Sequence, residues 1–135
     1  MSNMNLTVVS PDGEIFSGEA KSILVTTDSG EIQILRGHAE LFAPLGTGRA
    51  KITYADGTER VASASGGFII VSKNETRVVA TTFEFSDEID VNRAIAAKEK
   101  AEDRLKNAKT DKEIAIAKAK LMRAISRISV ADGNK

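Results

Sequence analysis

The only histidine, His38, stands in the stretch ILRGHAELFAPL, one residue after Gly37 and just ahead of an apolar run. The chain has no cysteine, which excludes disulfides, thiolate nucleophiles and thiolate metal sites together. A serine triad would need His38 itself, and SASGGF does not match the G-x-S-x-G nucleophile turn. Histidine-cluster metal sites cannot be built from one histidine. The glycine-rich GTGRAKIT, Gly46 to Thr53, is not a phosphate loop, because no glycine precedes Lys51 and no helix is expected to follow. Asp12 and Asp28 sit in turn-like stretches, where side-chain-to-backbone bonding accounts for them. The expectation is no catalytic residue, no metal and no required cofactor. His38 then either bonds the backbone of a tight bend beside Gly37 or faces a partner.

A second charged pattern lies near the C-terminus. Between Lys112 and Ala131 stand Lys112, Lys118, Lys120, Arg123 and Arg127 against Glu113 alone, a local excess of +4. Such a face is commonly just solvated, but this imbalance favours salt-sensitive docking on an acidic protein surface. Nucleic acid is not expected: the whole chain is neutral, and the basic half holds no aromatic side chain to stack on bases.

The elements that must position these groups divide near Ser86. All five phenylalanines, the tyrosine, both prolines and nine of the ten glycines precede it. Residues 1–85 carry a net charge of −3 and residues 86–135 a net of +3. Two domains, 1–85 and 86–135, are expected. The first reads as short strands between turns: LTVVS, EIFSGEA, SILVTT, the alternating EIQIL, then RAKITYADGTERVASAS, FIIVS and TRVVATTF. Asp56-Gly57 suits a type I′ hairpin turn. These strands imply an antiparallel β-sandwich or flattened barrel.

The second part reads as a helical hairpin, giving an α+β chain. Ala94, Ala97, Ala101, Leu105 and Ala108 form one stripe, and Ile114, Ala117, Leu121, Ala124, Ile125 and Ile128 the facing one. Asp87 or Asp90 caps the first helix, and Thr110 or Asp111 the second. Alanine in place of leucine forgoes roughly 2 kcal/mol of burial per position, so the hairpin packs closely but holds weakly. A weakly held hairpin is suited to move. No basic-then-apolar leader opens the chain and no run of 18 apolar residues occurs. A soluble cytoplasmic chain is expected, reaching a membrane only through a partner.

Four segments, VVSPDGEIFSGEA, SGEIQILRGHAEL, SGGFIIVSKNETRVVA and RAISRISVA, occur in an order and spacing that resemble the epsilon subunit of the bacterial F-type ATP synthase. The resemblance covers nearly the whole chain, and the Ser65 to Phe68 block with the Gly-Glu and Gly-His blocks is its most specific part. It implies a rotor subunit at the cytoplasmic face of the cell membrane, peripheral and without chemistry of its own. The sandwich would bind the gamma shaft and the c-ring, with Glu31, Arg36 and His38 at that interface. Family members commonly have proline where this chain has Arg36. The hairpin would either fold on the sandwich or extend toward the alpha and beta catalytic subunits and restrain ATP hydrolysis. Lys118, Lys120, Arg123 and Arg127 would then contact an acidic segment of beta.

The resemblance also implies ATP as a possible regulatory ligand. EIDVNRA matches the pattern Ile/Leu-Asp-x-x-Arg-Ala at Ile89, Asp90, Arg93 and Ala94. Arg93, Arg123 and Arg127 can clamp phosphates by charge-assisted bonds. Asp90 can accept from the adenine amino group, and Glu84 matches a further polar position. Lys100 replaces an arginine of ATP-binding relatives. The plainer alternative is a helix start, with Asp90 and Arg93 as an i,i+3 pair.

Overall fold

In the computed structural model, which describes residues 3–133, seven strands precede two helices. The strands are β1 (Met4–Ser10), β2 (Gly13–Thr27), β3 (Gly30–Leu35), β4 (Leu41–Pro44), β5 (Gly48–Tyr54), β6 (Glu59–Ser72) and β7 (Glu75–Phe85). A 3-10 turn, Ser86–Glu88, leads to α1 (Val91–Asn107) and α2 (Asp111–Ala131). Residues 1–2 and 134–135 of the two expected domains lie outside the described residues.

The strands run in the order β1-β7-β6-β5-β2-β3; β4 pairs with β6, and β1 returns to β2 to close the barrel. All ladders are antiparallel except β1 with β7, which is parallel. EIFSGEA and SILVTT, expected as two strands, are the two halves of β2: residues 13–20 pair with β1 and residues 20–27 with β3 and β5. ERVASAS and FIIVS are likewise one strand, β6. The Asp56-Gly57 hairpin forms, but not as a type I′ turn. Only Gly57 has positive φ (92°), and Tyr54 N–H donates to Thr58 O at 2.8 Å. Ala55-Asp56-Gly57 is therefore a three-residue connection ending in a left-handed glycine.

The SGGF block explains how a closed sheet flattens into two layers. Before it, even-numbered Ala62 and Ala64 face the core; after it, odd-numbered Ile69 and Val71 do. Strand β7 makes the same change, from Thr76, Val78 and Ala80 to Phe83 and Phe85. A period-2 strand can change its inward face only through an irregularity. Gly66 and Gly67 supply it, with φ of 70° and 89°, and a Cβ at Gly67 would lie 1.8 Å from Val79 O. There β6 leaves β5 and takes β4 as partner.

Leu6, Val8, Ile23, Val25, Ile34, Ile52, Ile69 and Val78 fill the interior with essentially no exposure, each contributing about 1.5–3 kcal/mol. The hairpin is built differently. Its buried residues are Ala94, Ala101, Ala117, Ala124 and Val130, with Leu105, Ile114, Leu121 and Ile128 half-buried. Ile125, expected in the seam, is 46% exposed, because it lies one residue (about 100°) past Ala124 and turns off the helix–helix contact. Ala97 is also exposed and lines the clefts described below. Asp90 caps α1, accepting from Arg93 N–H at 3.1 Å. Thr110 and Glu113 form a reciprocal capping box on α2. The N–H donors of Lys109 and Thr110 hold the Glu113 carboxyl below its ordinary pKa.

Candidate functional site

The sandwich has two outer faces of opposite character. On the layer of β1, β4 and the adjoining halves of β6 and β7, Phe42 stands opposite Ile70 and Pro44 opposite Phe68. Val79 continues the row beside Phe68, and Val9 beside Val79. Phe42 is 66% exposed, and its ring packs 5.4 Å from that of Phe68. No element of the described chain covers this stripe.

The other outer face carries Arg49, Ser63 and Glu84 in register across β5, β6 and β7, and α2 lies over β5 and β6. The fastenings are polar. Ser63 Oγ lies 2.7 Å from Ser126 Oγ, and Arg127 Nε donates to Glu84 Oε1 at 3.2 Å. At the barrel end, Arg60 donates to Asp87 Oδ1 at 2.8 Å while its guanidinium stacks 3.7 Å above the buried Phe85 ring. Burial works against the Arg60 charge, but the Asp87 carboxylate and the Tyr54 hydroxyl together outweigh it and the pKa rises.

Two clefts flank the hairpin. The first, about 510 Å³, lies between α1, β7 and the β1–β2 turn and is lined by Glu84, Asp90, Arg93, Ala94 and Arg127, with Asp12, Glu88 and Thr82 among its other walls. The second, about 240 Å³, lies between the helices and is lined by Lys100, Arg104, Lys120, Arg123 and Arg127 with Ala97 and Ala101. They share Ala97 and Arg127, so a carboxylate-rich cleft and an all-cationic cleft adjoin at Arg127. Of the residues expected to hold ATP, Glu84, Asp90, Arg93, Ala94 and Arg127 meet in the first cleft, and Arg123 joins Arg127 in the second. Ile89 is half-buried outside both linings. Lys120 lies in the cationic cleft, whereas Lys118 is exposed and outside it.

Of the residues expected at the shaft and ring interface, Arg36 and His38 lie together and Glu31 lies apart. Glu31 is the second residue of β3 and His38 lies three residues past its last, Leu35, so about 13 Å of extended strand separates Glu31 from the bend that holds His38. Glu31 accepts a bidentate pair from Arg49, at 2.6 and 3.1 Å, and that bond holds its carboxyl below the ordinary value. His38 is exposed; its N–H donates to Leu35 O at 3.1 Å and its Nδ1 lies 2.7 Å from Ala39 O. Arg36 and His38 line a cleft of about 640 Å³ with the Lys73-Asn74 turn. His38 therefore shapes a bend at the far end of the sandwich. Among the described residues no group of three or more His, Asp or Glu is placed to hold a metal, and no helix is long and apolar enough to cross a membrane.

The sequence reading missed the Phe42–Phe68 stripe, the Arg49 partner of Glu31 and the Arg60 bracket. One signal was present. FIIV is apolar at four successive positions, and a strand apolar on both faces needs both faces covered.

Against known proteins, the sequence model for ATP synthase, Delta/Epsilon chain, beta-sandwich domain, matches residues 3–86. The model for the long alpha-helix domain of the same chain matches residues 87–132. The ATP synthase epsilon chain of Bacillus velezensis is 36% identical over 131 residues, covering 97% of this chain and 98% of the relative. That of an Exiguobacterium species is 36% identical over 133 residues, covering 98% of each. A chain of the Euglena gracilis mitochondrial ATP synthase superposes with a TM-score of 0.82 at 21% identity, over 93% of this chain and 79% of that one. A chain of the Tetrahymena thermophila mitochondrial ATP synthase central stalk and c-ring gives 0.67 at 16% identity, over 98% and 96%. The last two establish likeness of fold. With both domain models and relatives of matching length in agreement, the chain belongs to the ATP synthase delta/epsilon family, as an epsilon chain.

Proposed function

We propose that this chain is a non-catalytic rotor subunit that couples the catalytic head to the ion-translocating ring, and that its hairpin restrains ATP hydrolysis when released. The observation that carries the reading is the contrast between the two outer faces. The Phe42–Phe68 stripe is a surface for permanent cover, and we assign the gamma shaft to it. The Arg36–His38 bend at the barrel end is assigned to the c-ring, which makes membrane association peripheral and places the chain on the cytoplasmic face. The hairpin is held by exchangeable polar contacts, so it can leave without exposing a large apolar area.

Release also uncovers charge. Arg123 and Arg127 are half-buried in the docked state, and undocking presents them with Lys118 and Lys120 to an acidic surface of the catalytic beta subunit. The test is to delete the residues after Ser86 and reassemble the complex. Retained assembly with raised ATP hydrolysis is expected; unchanged hydrolysis would remove the inhibitory role.

A second reading, ATP sensing, is favoured by one observation: the cleft that holds Asp90 adjoins the all-cationic cleft at Arg127. The pair suits a base and sugar in one cleft and a polyphosphate in the other. ATP would then favour the docked hairpin by its differential affinity for that state. Calorimetric titration with ATP should show saturable binding that Arg93→Ala abolishes. No heat at millimolar ATP would leave Asp90 as a helix cap alone.

A further inference from the structure

Glu84 occupies an unusual position for a ligand-binding residue. Its carboxylate is bonded to Arg127, the one cation among the described residues that lines both clefts. Arg127 stands with Ala97 where the two clefts adjoin, so a polyanion in the cationic cleft lies against it. A guanidinium can serve two acceptors, but a phosphate drawn to Arg127 also meets the negative charge already seated there. Lys100, Arg104, Lys120 and Arg123 line the cationic cleft with Arg127, and no carboxylate is among the lining residues. Glu84 is thus the carboxylate bonded to this cluster, through Arg127.

We infer that Glu84 is a resident competitor: it holds Arg127, and through it α2, against β7, and it must yield Arg127 when a polyphosphate enters the cationic cleft. The inference rests on the cationic cleft as the polyphosphate site and gives Glu84 a role opposite to that of a ligand-binding group. Two consequences follow from one bond. The hairpin has a polar fastening that needs no ligand, and phosphate binding is weakened by the contact it displaces. The pair is partly exposed, with side-chain exposures of 30% for Arg127 and 40% for Glu84, so the competition is modest. Removing it should tighten polyphosphate binding about two- to fivefold.

The experiment titrates the full chain with sodium tripolyphosphate and, separately, with ATP, comparing the unsubstituted protein, Glu84→Gln and Asp12→Asn. Asp12 lines the first cleft but is not bonded to Arg127, so it reports the effect of removing charge alone. Tripolyphosphate binding should tighten in Glu84→Gln and change less in Asp12→Asn. Adding Arg127→Ala to the unsubstituted chain and to Glu84→Gln should abolish the difference between them. Unchanged or weakened tripolyphosphate binding in Glu84→Gln, or equal gains in both carboxylate variants, would overturn the inference. If tripolyphosphate behaves as expected while ATP binds nowhere, the competitor role stands and the nucleotide reading falls.

Discussion

Across the sandwich, one outer face meets the hairpin through Ser63 and Glu84, with Arg60 bracing the turn that leads to it at Asp87, while the other shows Phe42 and Pro44 to solvent beside half-buried Phe68 and Ile70. Burying a phenylalanine contributes about 1.5–3 kcal/mol, whereas a hydrogen bond exchanged with water contributes about 0.5–1.5 kcal/mol. A face that must be covered and uncovered repeatedly is better made from the second kind of contact, because neither state then exposes much apolar surface. A face that stays covered is better made from the first. The hairpin itself follows the same rule: its seam of alanines and its cationic cleft lower the cost of leaving.

The contrast depends on β6 and β7 exchanging their inward faces, so the largest effect should come from blocking that exchange. In Gly67→Ala the added Cβ falls 1.8 Å from Val79 O at a φ of 89°. Neither backbone can give way without breaking the β6–β7 ladder, and a loss of at least about 4 kcal/mol is expected. Circular dichroism during thermal unfolding should show a chain that is largely unfolded at room temperature or melts far earlier. A near-native melting curve would mean that the two layers do not depend on this crossing.

Next in size is Phe42→Asp, which separates the two faces cleanly. The side chain is already 66% exposed, so the isolated chain should change by no more than about 0.5 kcal/mol. Binding to the isolated gamma subunit should fall about thirtyfold or more, the cost of losing an interface anchor of about 2 kcal/mol. Equal loss of stability and binding would make Phe42 a folding residue, and no loss of either would leave the stripe without its assigned partner.

Much of this architecture was legible beforehand, for identifiable reasons. The alternation in EIQIL and the helical spacing of Ala94, Ala101, Ala117 and Ala124 report local periodicity, which tertiary contacts preserved. The capping residues Asp90 and Thr110 were readable because a cap bonds within one turn. Strand continuity was not: the break expected between EIFSGEA and SILVTT falls inside β2, and Gly66-Gly67, which look like a turn in a sequence, sit inside β6. The fastenings were also hidden: Ser63 with Ser126 and Glu84 with Arg127 join positions 63 and 43 residues apart. Glu31 and His38 look adjacent in sequence, yet an intervening extended strand places them at opposite ends of the sandwich.

The docked face should respond to loss of a single fastening. Ser63→Ala removes a buried hydroxyl and leaves half-buried Ser126 able to bond water, so docking should weaken by about 1 kcal/mol, or roughly fivefold in the docked-to-released ratio. The absence of cysteine makes labels easy to place, for instance at exposed Lys118 and Lys21. Electron–electron distance measurements should show a larger released fraction in the variant. Raising salt to about 1 M, where the screening length is ~3 Å, should add to it by weakening the Glu84–Arg127 and Arg60–Asp87 pairs. A distance distribution indifferent to both would mean that the alanine seam and Val130, not the polar contacts, hold the hairpin.

The smallest effect concerns the ion pair at the edge of the docked face. Glu31, held by Arg49, titrates below the ordinary glutamate value of 4.5 in the folded chain. A depressed folded pKa contributes stability that is fully present above the unfolded value and is lost as pH falls through the folded one. The pair is exposed, at 22% for Arg49 and 42% for Glu31, so the contribution is at most about 1 kcal/mol. Between pH 7 and roughly 5 unfolding stability should therefore not change on account of this pair, and below about 4.5 part of it should disappear. Glu31→Gln should remove that acid-dependent part while leaving hairpin release unaltered, because neither partner bonds to the hairpin. If Glu31→Gln instead released the hairpin, the groove between Arg49 and the exposed Met122 and Ile125 would have to count as a further fastening, in which Glu31 holds the Arg49 stem in place against α2.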